Sequence, residues 1–170
     1  MQITGAGRFV FVAQWVAAVV LPVWFFIGRG LVGAQLGWLF LGLLVYGIFV
    51  AVVLLVPPVI TLFDREVRRA KSTRTGYSIA SWVLWIAAIL AALVVPDQAD
   101  GPPLDSALTT WTGGAISQEA SDTIFLVLSG IIGLAYLAVF VLAILGVMRA
   151  RDPARAPDAP DAPNAPNAQD

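Results

Sequence analysis

Few side chains in this chain could do chemistry within an apolar setting, and all of them are uncharged: Gln14, Ser81, Trp85, Tyr46 and Tyr136. Gln14 lies about 9 Å along a helix past Arg8, and Ser81 sits at a similar remove from Arg74. A hydrogen bond from Gln14 to Ser81, or to the Trp85 indole, would dock the first apolar segment against the third and contribute roughly 0.6 to 2 kcal/mol. The alternative is a polar ligand site at that depth; structural docking is the preferred reading. Tyr46 and Tyr136 both fall near the middle of apolar runs. They could share a cavity for a lipid or quinone headgroup, although an aromatic filler with a satisfied hydroxyl is the commoner use of a buried tyrosine.

Two charged clusters lie outside those runs. Arg65, Arg68, Arg69, Lys71 and Arg74 crowd one short segment, and beside a bilayer each would attract anionic lipid headgroups by about 1 kcal/mol. The same cluster also serves as an orientation signal. Asp97, Asp100 and Asp105 could in principle hold a divalent cation, but their spacing matches no calcium loop, so a solvated acidic loop is preferred.

What is missing excludes more than these residues suggest. The chain has no cysteine and no histidine. Disulfides, thiolate nucleophiles, CxxC redox couples, haem or zinc held by imidazole, and a Ser-His-Asp triad are therefore ruled out. Four-helix thiol oxidases and b-type cytochromes each need residues that are absent, and small multidrug transporters rely on a first-span carboxylate where Gln14 stands here. No Asp, Glu, Lys or Arg interrupts the apolar runs, which argues against a proton-coupled pump acting alone. The expectation is a protein with no catalytic, cofactor-binding or metal-binding residues and no nucleic-acid partner.

The elements that must position these residues follow from hydropathy. Only 12% of residues are charged and 59% are hydrophobic, against about 25% charged in soluble domains. Four runs, at about 9–27, 36–56, 77–95 and 124–148, are long enough to cross a bilayer core of about 30 Å. The expected fold is all-α, a polytopic integral membrane protein with four transmembrane helices and short interfacial helices. A signal-peptide reading of the first run is set aside, because the run exceeds the usual apolar length and Arg29 precedes any small-residue cut.

Between the runs, Pro57-Pro58 is expected to kink or stop the second helix. Beyond it, residues 58–74 read as a basic amphipathic helix on the membrane surface, with Pro58 in its first turn and an Asp64–Arg68 pair one turn apart. Residues 96–123 form an acidic loop, with a short helix over Pro103–Trp111. Ser121 or Asp122 is expected to cap the fourth run. Ala87–Ala91, Ala88–Ala92 and Ser129–Gly133 are spaced for close helix packing. The tail, 149–170, carries an Ala-Pro-Asp/Asn repeat that favours disorder.

Charge sets the expected sidedness. With the N-terminus inside, nine basic residues face the cytoplasm and Arg29 alone lies outside, the asymmetry that orients membrane proteins. Arginine-rich, alanine-rich composition suggests a bacterial cytoplasmic membrane with both termini in the cytoplasm. The expected function is a non-catalytic scaffold or accessory subunit that binds membrane lipids and other membrane proteins or itself. The alternative is a transporter or channel subunit for an uncharged solute or lipid.

Overall fold

In lipid every backbone N–H and C=O must be satisfied within the segment, so an apolar run of membrane length folds as a helix. The computed structural model describes residues 6–101 and 104–150 and shows such helices throughout. In order they are α1 (Ala6–Leu31), α2 (Leu39–Gly42), a π-helical turn (Leu43–Gly47), α3 (Ile48–Thr61), α4 (Arg65–Ala70), α5 (Thr75–Val94), α6 (Ala107–Trp111) and α7 (Gln118–Ala150). The chain is all-α, with no strand among the described residues and four helical spans long and apolar enough to cross a membrane. The second span is composite, because α2, the π turn and α3 run on as one rod from Leu39 to Thr61.

The spans close into a bundle. α1 packs against α5 and α3, and α7 packs against the same two, so α1 and α7 lie across the bundle from each other. Val10, Leu21, Tyr77, Leu84, Trp85, Ala135, Val139 and Ala143 form the buried core. All of these come from α1, α5 and α7; the second span adds only the half-buried Leu54 and Ile60. Ala87, Ala91 and Ala92 are buried, whereas Gly133 is exposed and a Cβ there would meet nothing within 4 Å. The Ser129–Gly133 pair is therefore not a packing seam, since no neighbouring helix lies against α7 at Gly133.

The helix does not stop at Pro57-Pro58. Both prolines are buried inside α3, which runs on to Thr61. A neighbouring helix supplies what the first proline removes, because the Tyr136 hydroxyl donates to the Val53 carbonyl, four residues before Pro57, at 2.9 Å. The amphipathic segment is correspondingly shorter than its pattern suggests. Its helix is α4 alone, capped by Asp64, whose carboxylate accepts from the N–H groups of Glu66 and Val67. Asp64 consequently pairs with Arg74 rather than with Arg68.

At the other end Ser106, not a proline, caps α6 by accepting from Thr109 N–H at 3.1 Å. α7 begins earlier than the apolar run, with the Ser117 hydroxyl accepting from Ala120 N–H. Ser121 is thus inside the helix and fully buried, its hydroxyl within hydrogen-bond distance of Val94 O at 3.2 Å and of the Ser106 hydroxyl at 2.7 Å. The repeat of the tail and the prolines at 102 and 103 lie outside the described residues.

Candidate functional site

The two prolines of α3 sit opposite a cluster of hydroxyl and amide side chains inside the bundle. Gln14, Tyr77, Ser81, Trp85 and Tyr136 surround a cavity of about 20 Å³ together with Pro57 and Pro58. That is room for about one water and nothing larger. Tyr77 donates its hydroxyl to Gln14 Oε1 at 2.8 Å, and Gln14 Nε2 returns to the Phe11 carbonyl at 3.1 Å. Ser81 donates to the carbonyl one turn back, that of Tyr77.

Four of the expected residues, Gln14, Ser81, Trp85 and Tyr136, are thus brought together, but their bonding differs from expectation. Gln14 bonds Tyr77 and neither Ser81 nor Trp85. The reason is reach: Ser81 has a short side chain that its own helix carbonyl satisfies, whereas the Tyr77 phenol spans the gap between α5 and α1. Tyr77 carries a signal that sequence reading undervalued, a polar-tipped aromatic one turn before Ser81. Tyr46 joins no part of this cluster. It lies in the π turn, 60% exposed on the outer surface of the second span.

Toward the acidic end of the bundle, above this polar cluster, lies a larger chamber of about 280 Å³. Phe25, Phe26, Val50 and Ile132 contribute to its walls, and Leu21, Leu54 and Leu84 are common to both cavities and form the partition between them. Its one polar side chain is Ser129. α2 and the π turn pack chiefly on α1, while α3 packs on both α1 and α7. The second span therefore draws away from α7 toward the acidic end and leaves the chamber between them.

The acidic end is closed by a buried cation. Arg29, at the foot of α1, is fully buried and reaches Asp97 at 3.4 Å, the Val95 carbonyl at 3.3 Å and the Asp105 carbonyl at 2.8 Å. Asp97 in turn accepts from the N–H groups of Gly37, Leu39 and Gln98. One carboxylate thereby ties the start of the second span to the loop after α5. Asp97 is thus committed to three N–H donors and to Arg29, and among the described residues no group of three acidic side chains lies close enough together to share an ion. Trp111 completes the closure by donating its indole N–H to the Val32 carbonyl at 2.8 Å.

At the basic end, Arg65, Arg68, Arg69 and Lys71 are exposed, as contact with anionic headgroups requires. Arg74 is not available in this way. Its Nε donates to Asp64 Oδ2 at 2.9 Å and its Nη2 to Glu66 Oε2 at 2.7 Å. Burial alone would lower its pKa, but the hydrogen bond and charge of Asp64, with those of Glu66, hold it above the ordinary arginine value. Gly146 of α7 makes room for this pair, since a Cβ there would lie 3.0 Å from Asp64 Oδ2. Thr73 fastens the same corner to α1 by donating its N–H to the Gly7 carbonyl at 3.1 Å.

Set beside known proteins, the chain matches no family model, no curated protein and no solved structure.

Proposed function

We propose that this multi-pass membrane protein is a non-catalytic accessory subunit or scaffold that docks onto another membrane protein through its second span. The observation behind this reading is Tyr46. It lies about 10 Å along the helix past Leu39, within the apolar run, and among the described residues its hydroxyl makes no hydrogen bond. A phenol at bilayer depth ordinarily finds a partner, and the partner on this reading is a polar group of a second protein. Only 6% of the second span's most apolar window is inside the bundle, against 33%, 44% and 22% for the other three spans. Leu44, Val45, Ile48 and Phe49 flank Tyr46 with exposed apolar surface, and a π turn is a geometry often kept at functional sites.

On this reading the protein lies in a bacterial cytoplasmic membrane with both termini in the cytoplasm, where Arg65, Arg68, Arg69 and Lys71 meet anionic headgroups. The test is photocrosslinking in intact membranes from a benzoylphenylalanine placed at Val45 or Phe49, with Leu137 on α7 as the control position. A discrete protein adduct from the second span, lost from Leu137 and weakened by Tyr46→Phe, is the expected result. Adducts to lipid alone at every position would overturn it. A second reading, a carrier or channel subunit for an uncharged solute or lipid, draws on the two cavities stacked along the bundle, and flux into liposomes holding the purified protein would decide for it.

A further inference from the structure

The chamber between the second and fourth spans is lined by a hydroxyl without a partner, the only serine or threonine in the described helices of which this is true. Several hydroxyls in and at the ends of these helices return their proton to a carbonyl one turn back, namely Thr61 to Pro58, Ser78 to Arg74, Ser81 to Tyr77, Thr110 to Ser106, Thr112 to Leu108 and Thr123 to Glu119, and Ser121 and Thr109 bond to neighbouring side chains. Ser129 lines the chamber and, among the described residues, makes no hydrogen bond at all. It lies five residues beyond Ile124, about 8 Å into the apolar run, where water is absent and an unused donor is costly.

We propose that the chamber is a binding site for a neutral, lipid-soluble ring compound bearing a carbonyl group, and that Ser129 Oγ donates to that carbonyl. No charged side chain lines it, so an ionised ligand would be stranded there without a counter-charge. Its 280 Å³ exceeds the ~150 Å³ of a closed apolar cavity that accepts a benzene-sized guest, and the chamber, unlike that cavity, opens to lipid. Phe25 and Phe26, packed edge to face with ring centroids 5.5 Å apart, present aromatic surface suited to a ring. A phospholipid acyl chain could fill the volume but would leave the Ser129 hydroxyl unpaired. The opening toward lipid, where the second span leaves α7, is the entry route for a compound dissolved in the bilayer. This site lies inside the bundle, and it stands or falls apart from docking at Tyr46.

The probe is benzophenone, a neutral two-ring ketone that attaches covalently on irradiation, added to the full-length protein in phosphatidylcholine nanodiscs. Adducts read by mass spectrometry are expected on Phe25, Leu54 or Ile132 and to saturate with probe concentration. Ser129→Ala raises the half-saturating concentration about three- to tenfold, the range of one hydrogen bond, and Ser129→Thr, which keeps the hydroxyl, restores it. Diphenylmethane, the same skeleton without the carbonyl, competes that much more weakly against the wild type and equally well against Ser129→Ala. Unchanged saturation in Ser129→Ala overturns the proposal, as does non-saturable labelling spread over exposed positions such as Leu44 and Leu126. So does preferential labelling of the chamber by a phosphatidylcholine with a photoreactive acyl chain. Intact Gln14–Tyr77 docking, followed by the melting temperature of each variant, shows that the bundle is unchanged.

Discussion

The two ends of the bundle each carry an arginine–aspartate pair, and they use it differently. At the acidic end Arg29 and Asp97 are both out of contact with solvent, at 0% and 2% side-chain exposure. At the basic end Asp64 is equally buried, but Arg74 keeps 11% exposure and a second partner, Glu66, that is 60% exposed. The first pair is sealed under the loop it holds down, whereas the second is buried on its aspartate side and reaches solvent only through Arg74 and its outer partner Glu66. A buried ion pair adds little net stability when whole, yet is destabilising when halved, because the survivor keeps its desolvation cost. The acidic end should therefore fail sharply and the basic end gradually.

Arg29→Met tests the sharper half. It leaves the Asp97 carboxylate buried with three N–H donors but no cation, so a loss of about 3 to 5 kcal/mol is expected. Equilibrium unfolding in detergent micelles measures this. The loop anchored by Asp97 should also open, which protease sensitivity near Ala99 would report. A loss no greater than that of the corresponding change at Arg74 would erase the distinction between the ends.

Arg74→Gln probes the softer half. Asp64 keeps the cap it provides to α4, and the Glu66 arm of the pair is worth under about 1 kcal/mol in water, so a total loss of about 1 to 2 kcal/mol is expected. Salt separates the two arms, because ionic strength screens the exposed Glu66 contact and hardly touches the buried Asp64 contact. The sign of the pH dependence follows from the raised pKa of Arg74. A cation whose folded value lies above its unfolded one contributes stability that is fully present below the unfolded value and lost only above the folded one. Between about pH 7 and pH 10 the contribution of Arg74 should therefore be flat, and a decline in that range in the wild type but not in Arg74→Gln would contradict the pairing.

Hydropathy made the four spans legible, because a run of that length has few ways to satisfy its backbone other than a membrane helix. Arg29 was harder to read. A lone cation in a short connector looks like an orientation marker, and its partner Asp97 lies two spans further along the chain, where no local pattern links them. Asp64 was visible as an acidic residue before a helix, which is a capping signal, but the Arg68 pairing one turn away competed with it and is the weaker use of a buried carboxylate. The kink or stop expected at Pro57-Pro58 followed a rule set by isolated helices. Within a bundle the freed carbonyl can take a donor from a neighbour, and asking which donor lies at the depth of Val53 would have pointed to Tyr136. The aromatic and amide cluster was half legible, since Gln14, Ser81 and Trp85 stand out as polar-tipped groups in apolar runs, while their pairing depends on reach across helices. Tyr46 and Tyr136 were indistinguishable by position, and only packing separates the satisfied hydroxyl from the free one.

The Tyr136 hydroxyl offers a smaller and cleaner test, because it belongs to neither end and carries no charge. Tyr136→Phe leaves the Val53 carbonyl without a donor, and a loss of about 0.6 to 1.7 kcal/mol is expected. Pro57→Ala restores a backbone N–H four residues after Val53, so the carbonyl regains a helical partner and no longer needs the phenol. In the Pro57→Ala background the cost of Tyr136→Phe should therefore fall toward zero, and the difference between the two backgrounds is the coupling energy that a double-mutant cycle isolates. Neither value should change with salt, in contrast to the Arg74 pair, since no ionised group takes part. Because the substitution keeps the ring and its stacking on Phe140, whose ring centroid lies 6.5 Å away, an undiminished cost for Tyr136→Phe in the Pro57→Ala background would mean that the hydroxyl does not act through the carbonyl that the proline frees.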